Sequence, residues 1–105
     1  MTIEDFLMPG EEIKYHGGSS LIYGGKPYEL IITDRRLLLY GRRGMLFKKD
    51  DIVSQKVEEV QNIKYSENGI IRKEGVLQID AKTRFSLIGH PSQVKAIYQQ
   101  ILQFF

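Results

Sequence analysis

Apolar side chains recur every second residue over most of this chain, and every third or fourth residue at its end. Between about residues 11 and 88 the alternation predicts a series of antiparallel strands. The strongest predicted pair covers residues 28–33 and 36–40, with a tight turn at Asp34-Arg35. Both faces of this pair are apolar, which predicts a sheet interior that is covered on both sides.

The last segment changes to the helical period. Its apolar residues predict a core-facing helix over about 91–104, and Pro91 suits the first helical turn. They are Val94, Ile97, Tyr98, Ile101, Leu102 and Phe105. At the other end, Thr2-Ile3-Glu4-Asp5 matches a helix-capping pattern and predicts a short helix over 2–8. About seven strands and one closing helix in 105 residues predict a single domain of the mainly β (α+β) class.

Glycine and polar clusters predict where the strands reverse. Residues 17–25 are expected to be turn-rich, with Gly17-Gly18 and Gly24-Gly25 at the ends and a brief strand over residues 21–23. Gly41-Arg42-Arg43-Gly44 is expected to form a turn before a strand over 45–53. A short helical turn is expected at 56–60. A long polar loop is expected at 66–75.

Positive charge is concentrated in one segment. Residues 35–49 contain six cations and no acid, whereas the rest of the chain has nine basic and thirteen acidic residues, so the net charge of +2 hides this asymmetry. The cations should divide between two turns about 16 Å apart. They fit solubilising charges, an anionic membrane surface, or an acidic protein or nucleic-acid partner. With a lysine and a tyrosine nearby, the candidate binding residues are Lys26, Arg35, Arg36, Tyr40, Arg42, Arg43, Lys48 and Lys49.

Residues 30–40, Leu-Ile-Ile-Thr-Asp-Arg-Arg-Leu-Leu-Leu-Tyr, resemble the prokaryotic pleckstrin-homology-like domains. In that family a hydrophobic strand runs into Thr-Asn/Asp-Arg-Arg-Leu and continues as a second strand. The resemblance extends from Pro9-Gly10-Glu11-Glu12 to the closing helix. It implies an open barrel of about seven antiparallel strands in two nearly orthogonal sheets, plugged at one end by the C-terminal helix. It also implies a binding or assembly module.

The resemblance does not extend to phosphoinositide recognition. Some eukaryotic relatives of the fold bind these lipids through a lysine, a variable gap and then Lys/Arg-x-Arg. Lys14 and Lys26 are present here, but Lys26-Pro27-Tyr28 lacks the final arginine. The tryptophan common in the eukaryotic closing helix is also missing.

The residues provide no pattern for catalysis. The chain has no cysteine, and His16 and His90 have no metal-ligand spacing with other candidate ligands. Asp50-Asp51 and Glu58-Glu59 are sequence neighbours, which point to opposite faces of a strand. We therefore expect no enzyme activity, cofactor or metal. No apolar run reaches the roughly 18–20 residues of a membrane-spanning helix, and the N-terminus lacks a signal peptide, so a cytoplasmic location is expected.

These observations support a non-enzymatic module that docks a peptide segment or a second copy of itself. It would use the groove beside the C-terminal helix or an exposed sheet edge, for which Lys48-Lys49-Asp50-Asp51 is the candidate. The alternative is peripheral binding to anionic membranes through Tyr40, Arg42 and Arg43. Nucleic-acid binding ranks last, because aromatic and basic residues do not interleave on one face.

Overall fold

A computed structural model describes residues 3–43, 49–71 and 73–105, with only the backbone of 18–20, 42–43 and 49–50. In these residues, seven strands, one α-helix (α1) and three short 3₁₀ helices (η1–η3) follow one another along the chain. Their order is η1 Ile3–Phe6, β1 Ile13–Tyr23, β2 Lys26–Thr33, β3 Arg36–Arg43, β4 Lys49–Lys56, η2 Val57–Glu59, β5 Asn62–Asn68, β6 Glu74–Asp80, β7 Arg84–Gly89, α1 Pro91–Ile101 and η3 Leu102–Phe104.

All neighbouring strands are antiparallel, in the order β4-β3-β2-β1-β7-β6-β5. β1 joins the two halves of the sheet, because it pairs with β2 and, through Ile22 and Ile88, with β7. Inward side chains from both halves and from α1 share one core. Its buried members are Leu21, Tyr28, Leu30, Ile32, Leu37, Leu39, Leu77, Ile79, Phe85, Leu87, Val94, Ile97 and Ile101.

The predicted β2–β3 pair is confirmed, with Ile32 opposite Leu37 and a two-residue turn between the strands. The outer face of this pair is covered as well. Ile31 and Leu38 form a second buried cluster there with Ile3 from η1. The apolar residues on both faces of the strands therefore have partners on both sides of the sheet, as the sequence predicts.

The C-terminal helix is confirmed over Pro91–Ile101, with Val94, Ile97 and Ile101 buried. His90 caps its start, where the ring nitrogen Nδ1 accepts a hydrogen bond from the Ser92 amide at 3.3 Å. The predicted apolar stripe is wrong at its end. Leu102 and Phe105 remain 43% and 41% exposed, because the chain passes into a 3₁₀ turn after Ile101 and the α-helical phase is lost.

Of the turn-rich segment predicted over residues 17–25, the turn at Gly17-Gly18 is wrong, whereas the strand at residues 21–23 and the reversal at Gly24-Gly25 are confirmed. β1 continues through Gly17-Gly18 to Tyr23, and the irregularity consists of register shifts in its pairing with β2. The reversal occurs at Gly24 and Gly25, whose φ angles of +60° and +79° suit the two-residue turn of a twisted hairpin.

Other predicted boundaries also move. The N-terminal helix is a single 3₁₀ turn at Ile3–Phe6, and Thr2 lies outside the described residues. The predicted turn at 41–44 is wrong for residues 41–43, which belong to β3, while residues 44–48 lie outside the described part. The expected short helical turn is confirmed as Val57–Glu59. The loop predicted at 66–75 is shorter than expected, because β5 continues to Asn68 and β6 begins at Glu74.

Candidate functional site

A buried carboxylate lies beneath the β2–β3 turn. Glu11, only 7% exposed, accepts hydrogen bonds from Arg36 Nη2 at 2.6 Å and Nε at 2.9 Å. The Thr33 hydroxyl donates to the same carboxylate at 2.6 Å. Arg36 Nη2 also donates to the Phe6 carbonyl at 2.9 Å. One guanidinium thus joins η1, the start of β3 and the residue two before β1, in the bidentate geometry that arginine forms with carboxylates.

Thr33 shapes the turn that follows it. Its hydroxyl oxygen accepts hydrogen bonds from the backbone amides of Arg35 at 3.1 Å and Arg36 at 2.9 Å. A threonine that ends a strand can stabilise a tight turn in this way. The Thr-Asp-Arg-Arg segment therefore has a structural role in this chain.

The hydrogen bond from Arg36 lowers the pKa of Glu11 to about 2, against the opposing effect of burial. The same contact raises the pKa of Arg36. Both groups therefore remain charged at neutral pH and hold each other within the fold. Arg36, a candidate binding residue from the sequence, is mostly occupied by this internal contact and contributes little free positive charge to the surface.

A groove of about 750 Å³ opens beside this network. It lies between the β2–β3 turn, the end of β4, η2 and the β6–β7 turn, and α1 contributes none of its lining. Val57 N donates to Arg35 O at 3.0 Å, and Lys82 Nζ lies 3.5 Å from Glu59 Oε2, so contacts connect its walls. The lining residues are Met8, Asp34, Arg35, Arg36, Ser54, Gln55, Lys56, Val57, Glu58, Glu59 and Lys82.

The charges around this groove are mixed. Arg35, a predicted site residue, lies in its wall and also donates to the Pro9 carbonyl at 3.4 Å. Lysines and acids alternate around the rest of the lining, with Met8 and Val57 as apolar members. A phosphate site would need several cations together without acids, and this lining does not provide that arrangement.

β4 lies at one end of the strand order and pairs with β3 over its whole length. Half of the backbone N–H and C=O groups of such an edge strand point away from its partner. The predicted edge is confirmed for Lys49, Asp50 and Asp51, whereas Lys48 lies outside the described residues. Residues 54–56 of β4 also line the groove, so the edge leads directly into it.

The candidate cations Lys26, Arg42, Arg43 and Lys49 lie at the opposite end of β3 from Arg35 and Arg36, as the sequence predicts. Arg43 pairs with Lys49, and Lys26 at the start of β2 is exposed. Arg43 and Lys49 are therefore cationic positions on adjacent strands, with Lys26 at the same end of the neighbouring strand β2. Arg42 pairs with Asp50. The predicted position of Arg42 and Arg43 at a loop tip is wrong, because both belong to β3.

Tyr40 does not join these cations at the surface. The side chain is 8% exposed, and its ring centroid lies 6.0 Å from that of Phe6 in η1. The prediction that it is exposed is wrong, because η1 covers this face of the sheet. Its role is in the second apolar cluster.

Among the described residues, no three histidine or acidic side chains are grouped to hold a metal ion. His16 Nε2 lies 3.2 Å from Glu29 Oε2, and His90 caps α1. None of the helices in that part of the chain is long and apolar enough to cross a membrane.

No model of a protein family matches the sequence, and neither does any curated protein. A solved structure is similar, namely the pleckstrin homology domain from Shewanella amazonensis SB2B. The superposition has a TM-score of 0.64 with 14% sequence identity, and it covers 97% of this chain and 90% of that one. The fold is pleckstrin-homology-like. The resemblance to pleckstrin-homology-like domains and the predicted open barrel with a closing helix are confirmed.

The sequence reasoning missed two features of this PH-like chain. The first is Glu11, which lies in the Pro-Gly-Glu-Glu segment but whose burial depends on Arg36, 25 positions away. The second is the loop between β5 and β6, where Ile70 and Ile71 are 98% and 96% exposed. Two adjacent isoleucines within a polar loop were the available signal.

Proposed function

We propose that this PH-like domain is a non-catalytic binding module that docks an extended protein segment, or a second copy of the chain, along β4. The observation that carries the proposal is the position of β4 at the end of the sheet, next to the groove. A PH-like fold presents a rigid framework on which such an edge is held ready for pairing.

Backbone hydrogen bonds to the outward groups of β4 would supply most of the affinity. A segment paired there would reach Ser54 and Lys56, where the groove begins, and could place a side chain against Val57. Charges of both signs around the groove would select register and orientation more than affinity.

Light scattering at increasing protein concentration tests the case of a second copy. Association predicts a molar mass above the 12.2 kDa of the monomer. Backbone amides of residues 51–56 should then exchange more slowly with solvent as the concentration rises. For the case of a peptide partner, selection from a random peptide library should yield extended sequences that protect the same amides.

Two charge reversals make a matched pair for these measurements. Lys56→Glu alters an exposed β4 position at the groove, whereas Lys64→Glu makes the same change on β5, at the other end of the sheet. The first should weaken association several-fold and the second should leave it unchanged. A monomer that selects no peptide, or protection that appears on β5 in place of β4, would refute the proposal.

A second candidate function is attachment to anionic membranes, supported by the register that pairs Arg43 with Lys49, and by Lys26 at the same end of the neighbouring strand β2. Three cations near a bilayer would contribute about 3 kcal/mol in total. Sedimentation with vesicles of rising anionic lipid content should show binding that salt weakens steeply.

The double variant Arg42→Ala/Arg43→Ala should lose much of this binding. Lys56→Ala/Lys82→Ala, which removes two exposed charges near the other turn, should retain it. Absence of binding at low salt would eliminate this function without affecting the β4 proposal.

A further inference from the structure

Two isoleucines project from the turn between β5 and β6. Ile70 and Ile71 are 98% and 96% exposed, so folding of the chain removes almost none of their surface from water. Other large apolar side chains that the structure describes as exposed range from 37% to 43%. A pair of uncovered, adjacent isoleucines is therefore the most unusual apolar feature of this surface.

The strands hold this tip firmly. β5 and β6 pair over seven consecutive positions, from Asn62↔Asp80 to Asn68↔Glu74. Behind the turn, a Cβ added to Gly75 would lie 2.9 Å from the Cα of Pro91, so the hairpin packs directly on the start of α1. Gly69, with φ of +100°, begins the turn. The isoleucines are thus carried on a convex end of a well-paired hairpin.

The charges near the tip are nearly balanced. In the sequence the cations Arg72 and Lys73 follow Ile71 and the acid Glu74 comes next, while Glu67 lies 4.0 Å from Lys95 Nζ. Electrostatic attraction between the β5–β6 tip and anionic headgroups is therefore small. Affinity of the tip for a bilayer would come mainly from its apolar side chains. A protein pocket would have to enclose this convex tip, whereas a bilayer accepts it without a preformed shape.

We infer that the β5–β6 tip inserts Ile70 and Ile71 into the boundary between the headgroups and acyl chains of a lipid bilayer. This site is distinct from β4, its groove and the cations at the far end of β3, and it extends the function proposed above. Because it is apolar, its contribution to binding persists at high salt, unlike that of the cations.

The chain has no tryptophan, so Ile71→Trp places a single reporter at the tip. With vesicles of phosphatidylcholine and roughly 30% phosphatidylserine, the emission should shift to the blue. Lipids brominated on the acyl chains should quench it. Leu102→Trp, a position 43% exposed at the end of α1, is the matched control and should show neither change.

The double variant Ile70→Ser/Ile71→Ser should reduce vesicle binding at high salt about tenfold or more, because burial of even one isoleucine contributes at least about that factor. Its thermal stability should stay unchanged, since neither side chain is buried. Leu102→Ser/Phe105→Ser removes the exposed apolar surface at the C-terminus, which is smaller, and should preserve binding.

Three results would overturn the inference. One is the absence of sedimentation with vesicles. Another is vesicle binding with no change in the emission of Ile71→Trp, which would point to the cations alone. The third is a blue shift on raising the protein concentration without lipid, which would indicate a protein contact at the tip. None of these results bears on β4, whose test is the protection of residues 51–56.

Discussion

The exchange Glu11→Gln tests whether the buried ion pair stabilises this fold. Glutamine keeps the size of the side chain and an acceptor for Thr33, but it removes the negative charge that faces Arg36. In the folded chain the pKa of Glu11 falls from its ordinary 4.5 to about 2, chiefly through the hydrogen bond from Arg36. Each unit of pKa shift is worth about 1.4 kcal/mol, so the lowered pKa of Glu11 corresponds to about 3 kcal/mol of unfolding free energy.

The sign of the pH dependence follows from the two pKa values. In the unfolded chain Glu11 takes up its proton near pH 4.5, whereas in the folded chain it stays ionised until about pH 2. Its contribution is therefore fully present above pH 4.5 and is lost as the pH falls towards 2. Glu11→Gln lacks this contribution at every pH.

Urea unfolding followed by circular dichroism, from about pH 7 to about pH 2, measures the difference between the two proteins. The difference in unfolding free energy should be about 3 kcal/mol at neutral pH and below about 1 kcal/mol near pH 2. Glu12→Gln is the control, because Glu12 is exposed and pairs with Lys14 at 3.0 Å. A difference that persists unchanged at pH 2, or one below about 1 kcal/mol at pH 7, would refute the reasoning.

Three further exchanges probe the fold by urea unfolding. Gly75→Ala should destabilise by about 1–3 kcal/mol, because the new Cβ would lie 2.9 Å from Val94 Cβ, and an unchanged midpoint would contradict this close approach. Thr33→Val should cost about 1–3 kcal/mol by removing the hydroxyl that bonds the buried carboxylate and the turn amides, whereas Thr33→Ser should recover most of it. Ile101→Ala should cost about 2–5 kcal/mol, and Leu102→Ala less than about 1 kcal/mol; similar losses would show that the helical stripe continues beyond Ile101.

Sequence periodicity predicted the elements whose pattern is local. The β2–β3 pair follows from apolar residues on both faces, and Ile31 and Leu38 confirm that the second face is buried. The closing helix follows from the spacing of Val94, Ile97 and Ile101. In each case burial depends on the phase of the segment itself, which a single sequence displays.

The turns were predicted less well, because their positions depend on pairing with distant strands. Gly17 and Gly18 favour a turn by composition, yet β1 continues through them alongside β2. Gly41 likewise remains in β3, where a Cβ would meet the ring of Tyr28 at 2.9 Å. Here glycine provides room for a neighbouring side chain within a strand, and no local pattern distinguishes that use from a turn.

The candidate site shows the same limit. Arg36 and Glu11 are 25 positions apart, so their contact could not be predicted from spacing. Tyr40 is buried because it contacts Phe6, which is 34 positions away in the sequence. Composition identified a cationic segment. Only the fold shows that Arg36 in this segment binds the buried carboxylate of Glu11.

The segment that resembles PH-like domains and the candidate binding surfaces on β4 and at the β5–β6 tip are different parts of this chain. Thr33 and Arg36 belong to the segment that carries the family resemblance, and both bond to Glu11 beneath the turn. In this chain the segment therefore stabilises the fold at one end of β3. The β4 edge, the cations around Lys26 and the isoleucine tip are separate from that network. Two chains could therefore share the Thr-Asp-Arg-Arg segment and this barrel while binding different partners.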